Sequence, residues 1–291
     1  YNDGNGSNSG SVRVYKNVSG TWTQIGADID GESFSDQSGW SVALSSDGSI
    51  LAIGNQYNDG GGVDSGSARV YKNVSGTWIQ IGTDINGEAA GDNSGSAVSL
   101  SSDGSIIAIG ARQNDGNGID SGSVRVYKNV SGTWTKIGSD IDGEAAGDKS
   151  GATVTLSADG NIIAIGSPSN DGNGTDSGSV RVYKNISGSW TQIGADIDGE
   201  APGNFSSYSA SLSSDGSVLA IGVFLNSGNG IESGHVRVYN LSTVLSSDSF
   251  VLSNFSIYPN PVSDIVNISL SENLELEKVN VYNTLGQLVK T

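Results

Sequence analysis

Apolar and polar residues change rhythm several times along the chain, and the same succession of rhythms returns. From Ser96, "SAVSLS" is a nearly continuous apolar run, as expected for a strand of a sheet buried between neighbouring blades. "SDGS" breaks it with turn residues. "IIAIG" (Ile106–Gly110) is a continuous apolar run, short enough for a strand covered on both faces. The polar stretch "ARQNDGNGIDSG" follows, then "SVRVYKN" (Ser123–Asn129), the turn "VSG", and "TWTKIG" (Thr133–Gly138). β-Branched and aromatic residues fill these runs, and Gly, Asn, Asp and Ser bound them. No repeat has a helical period. One unit therefore predicts four short strands.

The units are close copies. "VRVYKNVSGTW" occupies Val12–Trp22 and Val124–Trp134, with near copies at Ala68–Trp78 and Val180–Trp190, so the tryptophans step by 56 residues: Trp22, Trp78, Trp134, Trp190. A fifth copy, "HVRVYN", starts at His235 and lacks the tryptophan. Four strands repeated at this length predict an all-β fold, a β-propeller of four-stranded blades. A β-solenoid is the alternative, but its turns are usually much shorter. Three units are whole; a half unit precedes them, and a unit without its fourth strand follows. The expectation is an incomplete ring, hence an open arc with exposed edges. A start at Tyr1 with no methionine anywhere fits a processed product or a fragment.

"SGWSVALSSDGSILAIGNQ" (Ser38–Gln56) resembles the FG-GAP repeat, the blade unit of integrin α-subunit propellers. The resemblance rests on Gly39-Trp40, the strand that follows, and the closes Gly54-Asn55-Gln56, Gly110-Ala111-Arg112 and Gly166-Ser167-Pro168. It covers roughly residues 1–240 and implies a propeller. It departs at one point: the family's calcium loop commonly joins the first two strands, where this chain has only "SSDGS". The tail, "FSIYPNPVSDIVNISL" (Phe255–Leu270) with "LEKVNVYNTLGQLVKT" (Leu276–Thr291), resembles the C-terminal sorting domain of the Bacteroidetes type IX secretion system. That resemblance implies a small β-sandwich, here partial, that engages the secretion machinery and places the protein outside the cell. An ordinary immunoglobulin-like module is the other reading. The expected division is 1–240 propeller, 241–254 Ser-rich linker and 255–291 sorting domain.

Charge sharpens the picture. The formal net charge is −17, which disfavours nucleic acid and anionic membranes and favours cations or basic surfaces. No apolar run is long enough for a membrane helix. In an up-and-down blade, the links 2–3 and 4–1 share one face, and these are the two long acidic links. The acids therefore gather on one face. "DIDGEAAGD" offers oxygen ligands at positions 1, 3, 5 and 9, a register suited to calcium: Asp140, Asp142, Glu144 and Asp148, with Gly143 permitting a tight turn. Its copies are Asp28, Asp30, Glu32, Asp36; Asp84, Asn86, Glu88, Asp92; and Asp196, Asp198, Glu200, Asn204. The link 2–3, "NDGNGIDSG" (Asn114–Gly122), is a second candidate. The competing reading for both is a polar turn whose acids cap backbone N–H groups.

Other residues follow the repeat. Arg13, Arg69, Arg125, Arg181 and Arg237, and the four tryptophans, are expected to tie blade to blade. Asn17, Asn73, Asn129 and Asn185 head glycosylation sequons but fall where a hairpin must turn. Trp40 breaks the pattern: its counterparts are Ser96, Ala152 and Tyr208. Trp40 and Tyr208 are candidates to contact a ligand such as a sugar ring, or else they fill space at the rim. No cysteine leaves no thiol nucleophile, and one histidine leaves no zinc site built on several imidazoles. The function expected is non-enzymatic binding or adhesion outside the cell, to an extracellular protein or glycan, with calcium as a candidate cofactor. A carbohydrate-active enzyme and a structural surface-layer module are the alternatives.

Overall fold

The structure, a computed structural model, describes residues 2–242 and four short C-terminal strands. The chain divides into two compact units, Tyr1–Leu241 and Ser242–Thr291. Every named element is a strand. Most of the linker expected at 241–254 lies outside the described residues.

The first unit is a row of antiparallel meander sheets, one per repeat, as the rhythms predict. In the second whole repeat, Ser94–Leu100, Ile106–Ala111, Ser123–Val130 and Thr133–Lys136 pair in sequence order. Ser41–Leu44 and Thr153–Leu156 begin equivalent sheets in the repeats on either side. Three strands, Ser209–Leu212, Val218–Val223 and His235–Asn240, make the last. The N-terminal half unit supplies the hairpin Tyr15–Val18 with Thr21–Gln24, and the pair Ser11–Val12 with Ile29–Asp30.

The acidic link is not all loop, as its sequence suggested. Ile141–Asp142 forms a fifth short strand on the inner half of Ser123–Val130, with Val124 opposite Ile141. Ile141 is buried, which anchors the link and sets the carboxylates beside it. Gly143 serves a close approach, not a left-handed turn: a Cβ there would collide with the Ser121 carbonyl.

Core formation follows the apolar runs. The second strands, Ile50–Asn55, Ile106–Ala111 and Ile162–Ser167, are buried along their whole length. Ala52, Ala68 and Val70 of one sheet pack on Val98, Leu100, Ile107 and Ile109 of the next. At the two ends of the row the equivalent positions are open: Val42 is 53% exposed where Val98 is 8%, and Val238 is 66% exposed where Val126 is 1%.

Backbone bonds fasten both ends of each blade, one end to its neighbours and the other within the repeat. On one face, the "SDG" turns link sheet to sheet through Ser46 N–H to Ser102 O (2.9 Å), Ser102 N–H to Ala158 O (2.8 Å) and Ala158 N–H to Ser214 O (2.7 Å). On the other, the two long links of each repeat bond to one another, through Gly143 to Gly122 (2.7 Å), Gly147 to Ile119 (2.9 Å), Lys149 to Asp120 (3.1 Å) and Ser150 to Ser121 (2.9 Å). The long acidic links thus share one face. The hairpin asparagines act as turn caps, Asn129 Oδ1 accepting the Gly132 N–H at 2.9 Å.

In the second unit, Phe255–Tyr258 pairs with Asn267–Leu270, and Val281–Tyr282 with Leu288–Lys290, both antiparallel.

Candidate functional site: the acidic clamps and the axial mouth

The candidate calcium residues are distributed among three tasks. The position-nine residue is buried and inward. Asp36, Asp92 and Asp148 are 2–3% exposed. Asp148 Oδ2 accepts the Ala145 N–H at 3.0 Å and the Asn170 amide of the next repeat at 3.1 Å. Asp92 does the same with Ala89 and Asn114, and Asp36 with Ser33 and Asn58. In the last copy Asn204 takes this place and meets Asn226.

The residues at positions three and five meet an arginine from the following blade. Arg125 Nη2 donates to the Asn86 carbonyl (3.0 Å) and to Ser94 Oγ (3.1 Å), and its Nη1 lies 3.6 Å from Glu88. Arg69 repeats this with Asp30, Ser38 and Glu32; Arg181 with Asp142, Ser150 and Glu144; Arg237 with Asp198, Ser206 and Glu200. Each of these four also lies over a tyrosine ring of its own strand, at 5.6–5.9 Å. Arginine suits the task because its planar fork serves several acceptors at once. The tryptophans complete the clamp: the indole N–H groups of Trp78, Trp134 and Trp190 donate to the carbonyls of Ile25, Ile81 and Ile137 in the preceding repeat at 2.8–3.0 Å.

Position one turns to its own strand. Asp28, Asp84 and Asp196 accept from Gln24, Gln80 and Gln192, while Asp140 accepts from Lys136 at 2.6 Å. One link thus serves three partners, positions three and five sharing the arginine and position three meeting it through the backbone carbonyl, and among the described residues no three acids cluster closely enough to hold a metal ion. The link 2–3 acids cap turns, as Asp115 does for the Asp120 N–H at 2.8 Å.

These environments shift titrations in opposite senses. Burial pushes the carboxyls of Glu32 and Glu144 up; Asp84 and Asp196 facing them add to this, and Arg69 and Arg181 oppose it. Burial likewise raises Asp142 and Asp198. In the "SDG" turns, hydrogen bonds hold the carboxyls down, Asp47 and Asp215 to about 2. A raised carboxyl stabilises the fold below the ordinary carboxylate range, and that contribution fades as pH rises through the raised value. A lowered one stabilises above the ordinary range and fades as pH falls toward about 2. Thermal melts across pH are therefore expected to peak at mildly acidic pH and to decline as pH falls from the ordinary carboxylate range toward about 2. A stability that rises steadily to pH 8 would contradict these environments.

The second feature lies at the inner edge of the same face. Residues from four consecutive repeats line one pocket of about 300 Å³: Trp40; Ser96, Arg112 and Gln113; Lys149, Ala152 and Pro168; and Tyr208. The inner strands begin here, so the pocket is the mouth of the blade axis. Arg112 lies over the Trp40 ring at 5.8 Å and donates to Gln56 Oε1 at 3.3 Å. Tyr208 meets Phe224 edge to face, centroids 4.9 Å apart. Trp40 and Tyr208 are half exposed. The structure therefore brings both candidate ligand residues to one site.

Arg112 and Lys149 were not singled out from the sequence, although a signal was present. The repeats are near copies, yet several positions change between them, and three of these supply most of the residues that line the mouth. They hold Trp40, Ser96, Ala152, Tyr208; Gln56, Arg112, Pro168, Phe224; and Gln37, Asn93, Lys149, Phe205. The last set sits in the left-handed region, with φ of 50°, 54°, 56° and 47°. Bulky side chains there cost energy, and glycine would relieve it.

Comparison with known families fits this architecture. Residues 86–127 match the FG-GAP repeat, and residues 256–291 match the secretion system C-terminal sorting domain. The chain carries an FG-GAP repeat and a type IX sorting tail. The FG-GAP match spans the clamp from Asn86 through Arg125 to Tyr127. With the sorting tail, the chain is a secreted or cell-surface protein that engages the type IX machinery. The all-β propeller class expected from the repeat holds. Among the described residues no helix is long and apolar enough to cross a membrane. No curated protein matches the chain. Among solved structures, it is similar to Kuenenia stuttgartiensis Hydrazine Synthase, with 13% identity and a TM-score of 0.45, over 85% of this chain and 53% of that one.

Proposed function

We propose that this extracellular chain is a non-enzymatic binding protein whose axial mouth holds a saccharide. The observation that carries the reading is the convergence of Trp40 and Tyr208, from the first and last sheets of the row, on one pocket of about 300 Å³. Exposed aromatic faces at a concave site suit the apolar faces of sugar rings, and the volume is at the lower end of the range for small-ligand sites. The pocket lining holds no carboxylate, so it offers no acid–base pair for glycoside hydrolysis. An oligosaccharide panel tests the reading, with Trp40→Ser as the variant because Ser96 holds the same repeat position. The wild-type chain is expected to retain members of the panel and Trp40→Ser to weaken them tenfold or more, with an unchanged melting temperature. Binding untouched by Trp40→Ser would move the site elsewhere.

A second reading keeps calcium at the clamps, and one residue favours it. In the middle clamp Lys136 Nζ stands 2.6 Å from Asp140 and 4.0 Å from Glu88. In the clamps on either side, Gln80 and Gln192 replace it, and Glu32 faces Asp84 and Glu144 faces Asp196 without that second cation. Like charges so placed favour a proton or a bound cation. The wild-type chain is expected to melt higher in millimolar calcium than in EDTA. The double variant Gln80→Lys with Gln192→Lys is expected to melt at one temperature in both. Equal wild-type melts would leave the acids to the clamp alone.

A further inference from the structure

We infer that the saccharide held at the mouth is negatively charged, carrying carboxylate or sulfate groups. The inference rests on the saccharide reading above and names its chemical class. The surrounding face is acidic, and a cation there would be expected to sit in an ion pair. The repeated arginines and Lys136 do so. Arg112 and Lys149 are different: among the described residues neither forms a salt bridge, and both line the mouth.

Their placement is specific to this site. Arg112 is held over Trp40 at 5.8 Å, which fixes its guanidinium at the rim of the pocket. Its counterpart one repeat earlier is the uncharged Gln56. Lys149 follows the buried Asp148 and adopts φ 56°, a conformation that disfavours a long side chain, yet lysine stands there and its counterpart is Asn93. Two unpaired cations beside an aromatic floor form a site for an anionic ring substituent: the ring stacks on Trp40 or Tyr208, and the guanidinium and ammonium take the charge. The acidic links around the mouth would repel the same polymer elsewhere, which confines it to this position.

The test uses the whole chain and four probes measured by calorimetry: a galacturonic acid trimer, a sulfated galactose trimer, the neutral galactose trimer and inorganic sulfate. The variants Arg112→Gln and Lys149→Asn copy residues that the same backbone already carries in the adjacent repeat, so the fold is retained. At least one charged trimer is expected to bind tenfold or more tighter than the neutral one, to weaken tenfold or more in each variant, and to weaken as salt rises. Equal binding of charged and neutral trimers, lost in Trp40→Ser but not in Arg112→Gln, would overturn the charge assignment and leave the saccharide reading standing. Sulfate binding as tightly as the trimers would reduce the site to a simple anion site. Binding by none of the trimers would overturn both readings.

Discussion

Arg125→Ala is expected to destabilise the first unit by about 3 kcal/mol, a fall in melting temperature of roughly 6–12 °C for a unit of this size. Arg125 is 5% exposed. Its removal strands the Asn86 carbonyl and Ser94 hydroxyl that it bonds at 3.0 and 3.1 Å, and withdraws the cation from Glu88. Leaving buried acceptors unpaired costs more than the net worth of the bonds themselves. Arg125→Lys should recover little, because an ammonium on a flexible stem cannot serve those acceptors from the same position. Arg13 supplies the internal control. It carries the same repeat position but is half exposed, and its ion-pair partner is Asp28 of its own repeat, at 2.7 Å. Arg13→Ala should leave the melt unchanged. Equal effects at the two positions would mean that the arginine acts within its own sheet and not between sheets.

Ile109→Ala is expected to cost about 3 kcal/mol, read by chemical denaturation. Ile109 is fully buried in the second strand and packs where one sheet meets the next. A matched pair separates packing from intrinsic strand preference. Val98→Ala, in the covered inner strand, should cost about 2 kcal/mol. Val42→Ala, at the open end of the row, should cost under about 0.5 kcal/mol. The residue type, strand and neighbouring sequence are nearly the same, so the difference reports the covering sheet alone. Similar losses at both positions would contradict face-to-face stacking.

Much of this architecture is legible in the chain. The apolar runs "SAVSLS" and "IIAIG" mark the first two strands of a blade as sheet buried between neighbours; the structure covers "IIAIG" throughout but buries the first strand of the next repeat only at alternate residues, because side-chain burial follows the pleat. The 56-residue step of the tryptophans marks the repeat, and the inter-sheet role of Trp134 and Arg125 follows from their recurrence. The acidic links were less legible. Positions 1, 3, 5 and 9 of "DIDGEAAGD" suit a metal loop on paper, but the local sequence cannot say that Ile141 pairs into the sheet. Nor can it say that the partners of Glu144 and Asp148, Arg181 and Asn170, arrive from the next repeat. Those contacts span 37 and 22 residues and exist only once two sheets stack. The mouth was half legible: Trp40 and Tyr208 stood out by size, whereas Arg112 and Lys149 gain meaning only when four repeats converge on one point.

Amide hydrogen exchange of the whole chain, with and without a saturating charged trimer, most directly tests the division of the face into clamps and mouth. The account predicts added protection in peptides containing Trp40, Arg112, Lys149 and Tyr208, and none in the outer acidic stretch 140–146. Protection centred on Asp140, Asp142 and Glu144 instead, with the mouth unchanged, would contradict it.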